Sequence, residues 1–115
     1  MLEDDIGYAI SIHNKSLQRA RDICDLVIAE LDRAMRKFPT WPTDPLHALA
    51  VLGEEYGELT KEVLQTCYEP GKSSSEAITK EAIQTAAMAI RWVVSLDVYK
   101  YKAGDQHDQG HIKKP

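Results

Sequence analysis

The chain has 115 residues and a formal net charge of −4, with 43% hydrophobic and 28% charged residues. Its length predicts one domain, and its acidic balance argues against nucleic-acid polymers as partners, since their binders usually carry a basic patch or stripe. No apolar run approaches membrane-spanning length, and neither the acidic N-terminus nor the two widely separated cysteines suggests export, so we expect a cytoplasmic protein without a membrane partner.

The first predicted element is helical and covers residues 4–37, a stretch with no proline and one glycine. Apolar residues recur there at helical spacing, while charged residues fall mostly elsewhere on the helical wheel. The apolar set comprises Ile23, Leu26, Val27, Leu31, Ala34 and Met35. Ser16 follows a short polar stretch and could cap a new helix. The sequence therefore leaves two alternatives, one long helix or two collinear helices.

A loop with three prolines is predicted over residues 38–45, because proline interrupts a regular ladder of backbone hydrogen bonds. Thr43 or Asp44 can cap the helix that follows, with a proline just inside it. This second helix is predicted to end at Thr66 or Cys67. Its apolar stripe comprises Leu49, Leu52, Tyr56, Leu59 and Val63. A neighbouring stripe comprises Glu55, Glu58 and Glu62.

The last predicted helix runs from Ser74 to Tyr101, and Ser73 with Glu76 has the spacing of a capping box at its start. Apolar residues cover most of the circumference of this helix, so we expect it to be buried on more than one side. Three or four helices in so short a chain cannot supply all of that cover. We therefore expect a second subunit to supply the rest.

The predicted fold class is all-α, because the helical segments leave no strand signal between them. The predicted architecture is a helical bundle completed by homodimerisation, with a dimer of dimers as a larger alternative. We expect the helical domain to cover residues 1–102. Residues 103–115 are polar and aperiodic, which predicts a flexible tail.

Glutamates on the second and third helices have the spacing of metal ligands. Glu55 and Glu58 are three residues apart and share one helix face, as do Glu81 and Gln84. If the two helices face each other, three carboxylates and one amide oxygen converge. Burying unpaired carboxylates is costly, so convergence predicts a counter-charge, most simply Mg²⁺ or Mn²⁺. The alternative interpretation is a solvated acidic helix face.

The segment 54–58 has the sequence EEYGE and the segment 81–84 has the sequence EAIQ, with 22 residues (59–80) between them. Together with the Pro-rich loop at 38–45, these segments resemble the motif of the MazG-like all-α nucleoside triphosphate pyrophosphohydrolase superfamily. The likeness is greatest to a group of small nucleotide pyrophosphohydrolases, many of them from phages. It covers roughly residues 16–101.

The resemblance implies hydrolysis of a nucleoside or deoxynucleoside triphosphate to a monophosphate and pyrophosphate, with Mg²⁺, or Mn²⁺, as cofactor. It makes Glu55, Glu58 and Glu81 metal ligands. Gln84 stands where well-studied members have aspartate, so it becomes a weak ligand or an outer-shell group. Glu54 orients or deprotonates the attacking water, or adds a ligand from the edge of the site.

Four further residues are candidates for holding the substrate. Lys61 and Arg91 lie on the same helix faces as the metal-ligand candidates and could bind phosphates, or they could form ion pairs with the acidic stripe. Trp41 in the Pro-rich loop could stack on a base or anchor the loop. His47 lies two turns before Glu54 and could approach the nucleotide, or serve in capping and packing.

A catalytically weak or inactive helical oligomerisation module is the alternative function. In that case the glutamates form a solvated face and Gln84 marks a degenerated site. Restoring the charge with Gln84→Asp discriminates the two functions, because an enzyme should change its metal dependence or rate and a scaffold should remain inert.

Overall fold

The computed structural model describes residues 2–101, with side chains described from residue 4 onward. Its elements in chain order are α1 (Leu2–Lys37), α2 (Pro45–Tyr68), α3 (Ser75–Val94) and a short 3₁₀ helix, η1 (Leu96–Val98). Within the described part of the chain there is no strand, which confirms the all-α fold class. No helix within residues 2–101 is both long and apolar enough to cross a membrane. The predicted tail, 103–115, lies outside the described residues.

One uninterrupted helix of 36 residues forms α1, which is the first of the two predicted alternatives. Every residue from Asp4 to Leu26 is exposed, and the first buried side chain is that of Val27. Leu31 and Ala34 follow it into the core. The 23 exposed residues of this stretch span about 35 Å of helix at 1.5 Å per residue. Thus only the last third of α1 belongs to the packed body.

The predicted start of α2 is confirmed. Oδ1 of Asp44 accepts a hydrogen bond of 2.9 Å from the backbone N–H of Leu46, and Pro45 is the first helical residue. The cap satisfies one of the donors that a helix start leaves without a partner, and proline there sacrifices no helical hydrogen bond. The helix ends at Tyr68, one residue beyond the later of the two predicted ends.

The start of α3 corrects the predicted cap by one residue. Ser74 has an extended backbone and its hydroxyl accepts a hydrogen bond of 3.1 Å from the N–H of Ala77. The predicted cap, Ser73, instead donates its hydroxyl to the carboxylate of Glu62 on α2. Gly71 turns the chain before this point with a φ of +91°, a conformation that glycine adopts at little cost.

The central helix of the fold is α3, which packs against α1 on one side and α2 on another. The core lies mainly between α1 and α3, where Ala87 is fully buried and Met88 is nearly so. Leu52 of α2 packs against this cluster from the other side. Alanine at position 87 lets the backbones of neighbouring helices approach closely. This arrangement aligns the N-terminal half of α3 with the middle of α2.

The end of α3 differs from the prediction, because the helix stops at Val94 and not at Tyr101. Ser95 forms the C-terminal cap and the chain continues into η1. Valine and serine are weak helix formers, and two valines precede this serine. The helix propensity of this segment is therefore low, and a tertiary contact can end the helix here.

That contact is made by Tyr99, which is 4% exposed. Its hydroxyl donates to the carbonyl oxygen of Trp92 over 2.9 Å and accepts from Nε1 of Trp41 over 2.9 Å. The backbone N–H of Lys100 donates to the carbonyl oxygen of Thr43 over 2.7 Å. The chain after α3 is thereby tied back to the Pro-rich loop.

The described chain is elongated, with extents of 61 × 40 × 26 Å and a radius of gyration of 19.0 Å. A compact domain of about 100 residues would have a radius of gyration near 13 Å. Ile90, Val93 and Val94 on the C-terminal half of α3 are all at least one-third exposed. The expected cover of α3 is thus incomplete within one chain, and the homodimer stays a prediction.

Candidate metal centre

Three carboxylates converge where α2 packs against α3. Glu55 and Glu58 are one turn apart on α2, and Glu81 lies in the second turn of α3. One oxygen atom of each side chain lies within 4.8 Å of the corresponding atoms of the other two. The structure therefore brings together the three glutamates whose spacing predicted convergence.

The chemistry of this donor set fits a hard divalent cation. Glu55 and Glu81 are half-buried, whereas Glu58 is exposed. One oxygen, Oε2, of each half-buried carboxylate is shielded from solvent and has no hydrogen-bond partner. A buried acceptor without a donor is costly, and more so when it is charged. Carboxylate oxygens in this arrangement are the ligands that Mg²⁺ and Mn²⁺ prefer.

The raised pKa of Glu55 shows that this arrangement disfavours the charged form of its carboxyl group. Burial is the main cause that raises the pKa of its carboxyl above the ordinary range. The charges of Glu58 and Glu81 raise the pKa of Glu55 further, and those of Glu30 and Glu54 add to them. The carboxylate of Glu55 thus lies in a negative electrostatic field.

The pKa of Glu81 is raised for related reasons. Burial comes first, followed by a hydrogen bond with the carboxyl of Glu58 and the charge of that residue. Lys80 acts in the opposite direction, while the charge of Glu62 raises the pKa of Glu81 slightly. A proton shared between two carboxyls is one way to relieve their repulsion, and a bound cation is another.

Glu30 of α1 is a fourth nearby carboxylate that the sequence analysis missed. Its charge contributes to the raised pKa of Glu55, so Glu30 acts electrostatically on the cluster. Arg33 holds Glu30 with two hydrogen bonds of 3.0 and 2.5 Å, and this pairing lowers the pKa of Glu30. Glu30 directly precedes the buried Leu31, and that position beside the core stripe is the signal that could have located it.

A groove of about 560 Å³ lies between α1 and the N-terminal half of α3. Glu30 and two cationic residues, Arg33 and Lys80, line it. Its apolar lining residues are Leu26, Ala29 and Ile83. The charge of Lys80 lowers the pKa of Glu30 and opposes the raised pKa of the nearby Glu81, so this lysine acts on both carboxylates. Positive charge and an apolar surface therefore occur together in a groove that Glu30 also lines.

Four other predicted residues of the site lie on α2 and α3. Glu54 is exposed on α2 beside Glu55, and Gln84 is half-buried one turn after Glu81 on α3. Lys61 is exposed one turn beyond the α2 glutamates. His47 is exposed in the first turn of α2, about 12 Å along the helix axis from Glu55.

Arg91 and Trp41 are already engaged by the protein itself. The guanidinium of Arg91, a residue that is 4% exposed, donates to the carbonyl oxygen of Phe38 over 2.7 Å and to that of Thr40 over 3.4 Å. It also lies 4.8 Å from the centre of the Trp41 ring. Burial lowers the pKa of Arg91. These contacts hold the Pro-rich loop against α3, which is the anchoring role considered for Trp41.

Comparisons with protein-family models, with curated proteins and with solved structures found no match to this chain.

Proposed function

We propose that this protein hydrolyses nucleoside or deoxynucleoside triphosphates to a monophosphate and pyrophosphate with a bound divalent cation. The observation that carries the proposal is the pair of shielded oxygens, Oε2 of Glu55 and Oε2 of Glu81, that have no hydrogen-bond donor within a cluster of three carboxylates. A bound Mg²⁺ or Mn²⁺ supplies charge neutralisation of the phosphates and a more acidic water.

In this proposal Glu55, Glu58 and Glu81 hold the cation. Gln84 offers a neutral amide oxygen from the next turn of α3. Glu54 is exposed beside the cluster and can accept a proton from the attacking water. The water oxygen forms a new bond to phosphorus, the anhydride bond between the α and β phosphates breaks, and pyrophosphate leaves.

The groove between α1 and α3 is the proposed substrate site. Lys80 supplies positive charge for the phosphate chain, whereas the guanidinium of Arg33 already pairs with Glu30. The apolar side chains of the groove can pack against a base or sugar. Lys61 remains a candidate for a phosphate contact because it is exposed near the α2 glutamates. Arg91 is a weaker candidate, since its guanidinium already donates to two backbone carbonyls.

The proposed working form is a cytoplasmic homo-oligomer. Twenty large hydrophobic side chains of the described residues are at least one-third exposed, far more than scattered surface residues account for. The same observation favours the second candidate function, a helical oligomerisation module without activity. The two functions differ in whether the protein hydrolyses nucleotides and needs the carboxylate cluster to do so.

The test is to incubate the purified protein with a panel of ribo- and deoxynucleoside triphosphates and Mg²⁺ or Mn²⁺, and to assay monophosphate and pyrophosphate. Glu58→Gln should abolish the release of pyrophosphate. Glu69→Gln is the matched control, because Glu69 caps the far end of α2 and pairs with Lys72 there. No release by a folded wild-type protein with either metal would favour the module. Equal release by both variants would show that the carboxylate cluster is not the catalytic site.

A further inference from the structure

A continuous stripe runs along the part of α1 that buries nothing. The N-terminal stripe, as we name it, comprises Ile6, Ile10, His13, Leu17, Ala20 and Cys24. Its members are separated alternately by four and three residues, and all of them are exposed. This alternation is the spacing by which a helix presents one seam to a partner helix in a coiled coil.

The N-terminal stripe continues directly into the packed core. Val27, Leu31 and Ala34 extend the same alternation, and these residues are buried against Ala87 and Met88 of α3. One seam of α1 is therefore covered by a helix over its last third and bare over the rest. The bare part has the same spacing as the part that already packs, and its members are apolar or weakly polar apart from His13.

No helix within residues 2–101 is placed to cover the bare part of the seam. At 1.5 Å per residue, α1 is about 54 Å long and α3 about 30 Å long, so α3 cannot follow α1 along its length. The other long helix, α2, packs against α3 and makes no close backbone approach to α1. In proteins most of the stability of a helix comes from packing its apolar face against other elements.

The residues that flank the stripe fit a second copy of the same surface. Asn14, Ser16 and Ile23 are uncharged, and Arg21 is the one charged flanking residue between Leu17 and Cys24. Flanks with this single charge give an oppositely charged partner little to recognise, and repulsion between identical helices is limited to Arg21. A two-fold interface requires a self-complementary patch, and a mainly apolar seam whose flanks carry one charged residue meets that requirement.

We propose that the N-terminal stripe of α1 packs against the N-terminal stripe of a second copy of this chain, so that the two α1 helices pair beyond the packed bodies. The interface is built from residues that the nucleotide site does not use. The proposal therefore does not rest on the proposed enzymatic activity, and each can fail without the other.

The test is sedimentation of the full-length protein over a wide range of concentrations, with Leu17→Glu compared with Ser11→Glu. Both variants add one negative charge at an exposed position of α1, but Ser11 lies on the polar side of the helix. We expect the wild-type protein and Ser11→Glu to be dimers, and Leu17→Glu to weaken association on the order of a hundredfold or more, because the seam would bury unpaired charge.

A folding control accompanies this measurement. Trp41 and Trp92 lie in the packed body, so their fluorescence should be the same in both variants. Far-ultraviolet circular dichroism of Leu17→Glu should show a loss of helix, because residues 4–26 would lose their cover. A wild-type monomer at every concentration would overturn the proposal. Equal association of Leu17→Glu and wild type would also overturn it, since the dimer would then use another surface.

Discussion

At the scale of single residues, the site is defined by carboxylate oxygen atoms that have no hydrogen-bond donor. Glu55 and Glu81 each keep one oxygen away from both solvent and any hydrogen-bond partner. Most buried acceptors in proteins are satisfied, so two such atoms within one small cluster need a physical reason. A bound cation would satisfy both, and in its absence protons must do so.

Removing one of these charges should stabilise the metal-free protein at neutral pH. A carboxyl with a raised pKa binds more protons in the folded state than in the unfolded chain. The free energy of unfolding should therefore fall as pH rises above about 4.3, the ordinary value, through the raised pKa values of Glu55 and Glu81. We expect Glu81→Gln to flatten this dependence and to raise the melting temperature at pH 7 by roughly a few degrees.

Thermal denaturation in the presence of a chelator, between about pH 5 and pH 8, measures this effect. Glu69→Gln is the control, because it removes one charge at the far end of α2. A Glu81→Gln protein that is less stable than wild type at pH 7 and equally pH-dependent would show that the cluster carries no repulsion.

Restoring a carboxylate at position 84 should tighten cation binding. Gln84→Asp adds one negative charge a single turn from Glu81, and hard cations bind more tightly to sites with more carboxylates. We expect the apparent affinity for Mg²⁺ to rise about tenfold, a modest effect for one added ligand. The measure is the shift of melting temperature with Mg²⁺ concentration, and Gln84→Asn should leave it near that of wild type. Identical Mg²⁺ titrations for all three proteins would contradict a cation site here.

At the scale of elements, α3 organises the molecule from the middle. It contributes Glu81 to the cluster near one end and Arg91 to the Pro-rich loop near the other. The loop is irregular, so its backbone carbonyl oxygens have no helical backbone hydrogen bonds and need other donors. The guanidinium of Arg91 supplies them, and Tyr99 ties the chain that follows α3 to the same loop.

Arg91→Ala should therefore destabilise the fold. It removes the donor to the carbonyl oxygens of Phe38 and Thr40 and leaves a void beside the Trp41 ring. We expect the free energy of unfolding, measured in urea, to fall by about 2–4 kcal/mol. Arg36→Ala should cost less than about 0.5 kcal/mol, because its ion pair with Asp32 is exposed. A stable Arg91→Ala protein that fails only to bind nucleotide would instead support the phosphate role of Arg91.

At the scale of the whole molecule, the chain leaves much apolar surface without cover. A long bare helix and the exposed end of α3 give it a radius of gyration of 19.0 Å, well above the value of about 13 Å for a compact domain of this size. A single copy thus has faces typical of subunits within an assembly.

Stability should consequently depend on protein concentration. Association that requires the folded state stabilises it by mass action, so the melting temperature of the wild-type protein should rise as concentration rises. Leu17→Glu should show a weaker dependence, because the N-terminal stripe would no longer pair. Differential scanning calorimetry at several concentrations measures both. A wild-type melting temperature that is independent of concentration would indicate a stable monomer.

Short-range sequence patterns predicted the features that depend on residues close together in the chain. The all-α class, a cap at Thr43 or Asp44 followed by a proline, and the pairing of Glu55 with Glu58 on one face all follow from short-range spacing. The start of α3 was misplaced by one residue, because adjacent serines have nearly equal capping ability and only the contact of Ser73 with α2 separates them.

By itself, the sequence determined the helical periodicity and the carboxylate spacing, since both depend on residues within a few positions of each other. Only the tertiary structure decided the rest. It placed the charge of Glu30 on α1 within electrostatic reach of Glu55, committed Arg91 to the Pro-rich loop and ended α3 at Val94 so that Tyr99 could fold back. Each of these outcomes depends on contacts between residues far apart in the chain, and no local pattern encodes such contacts.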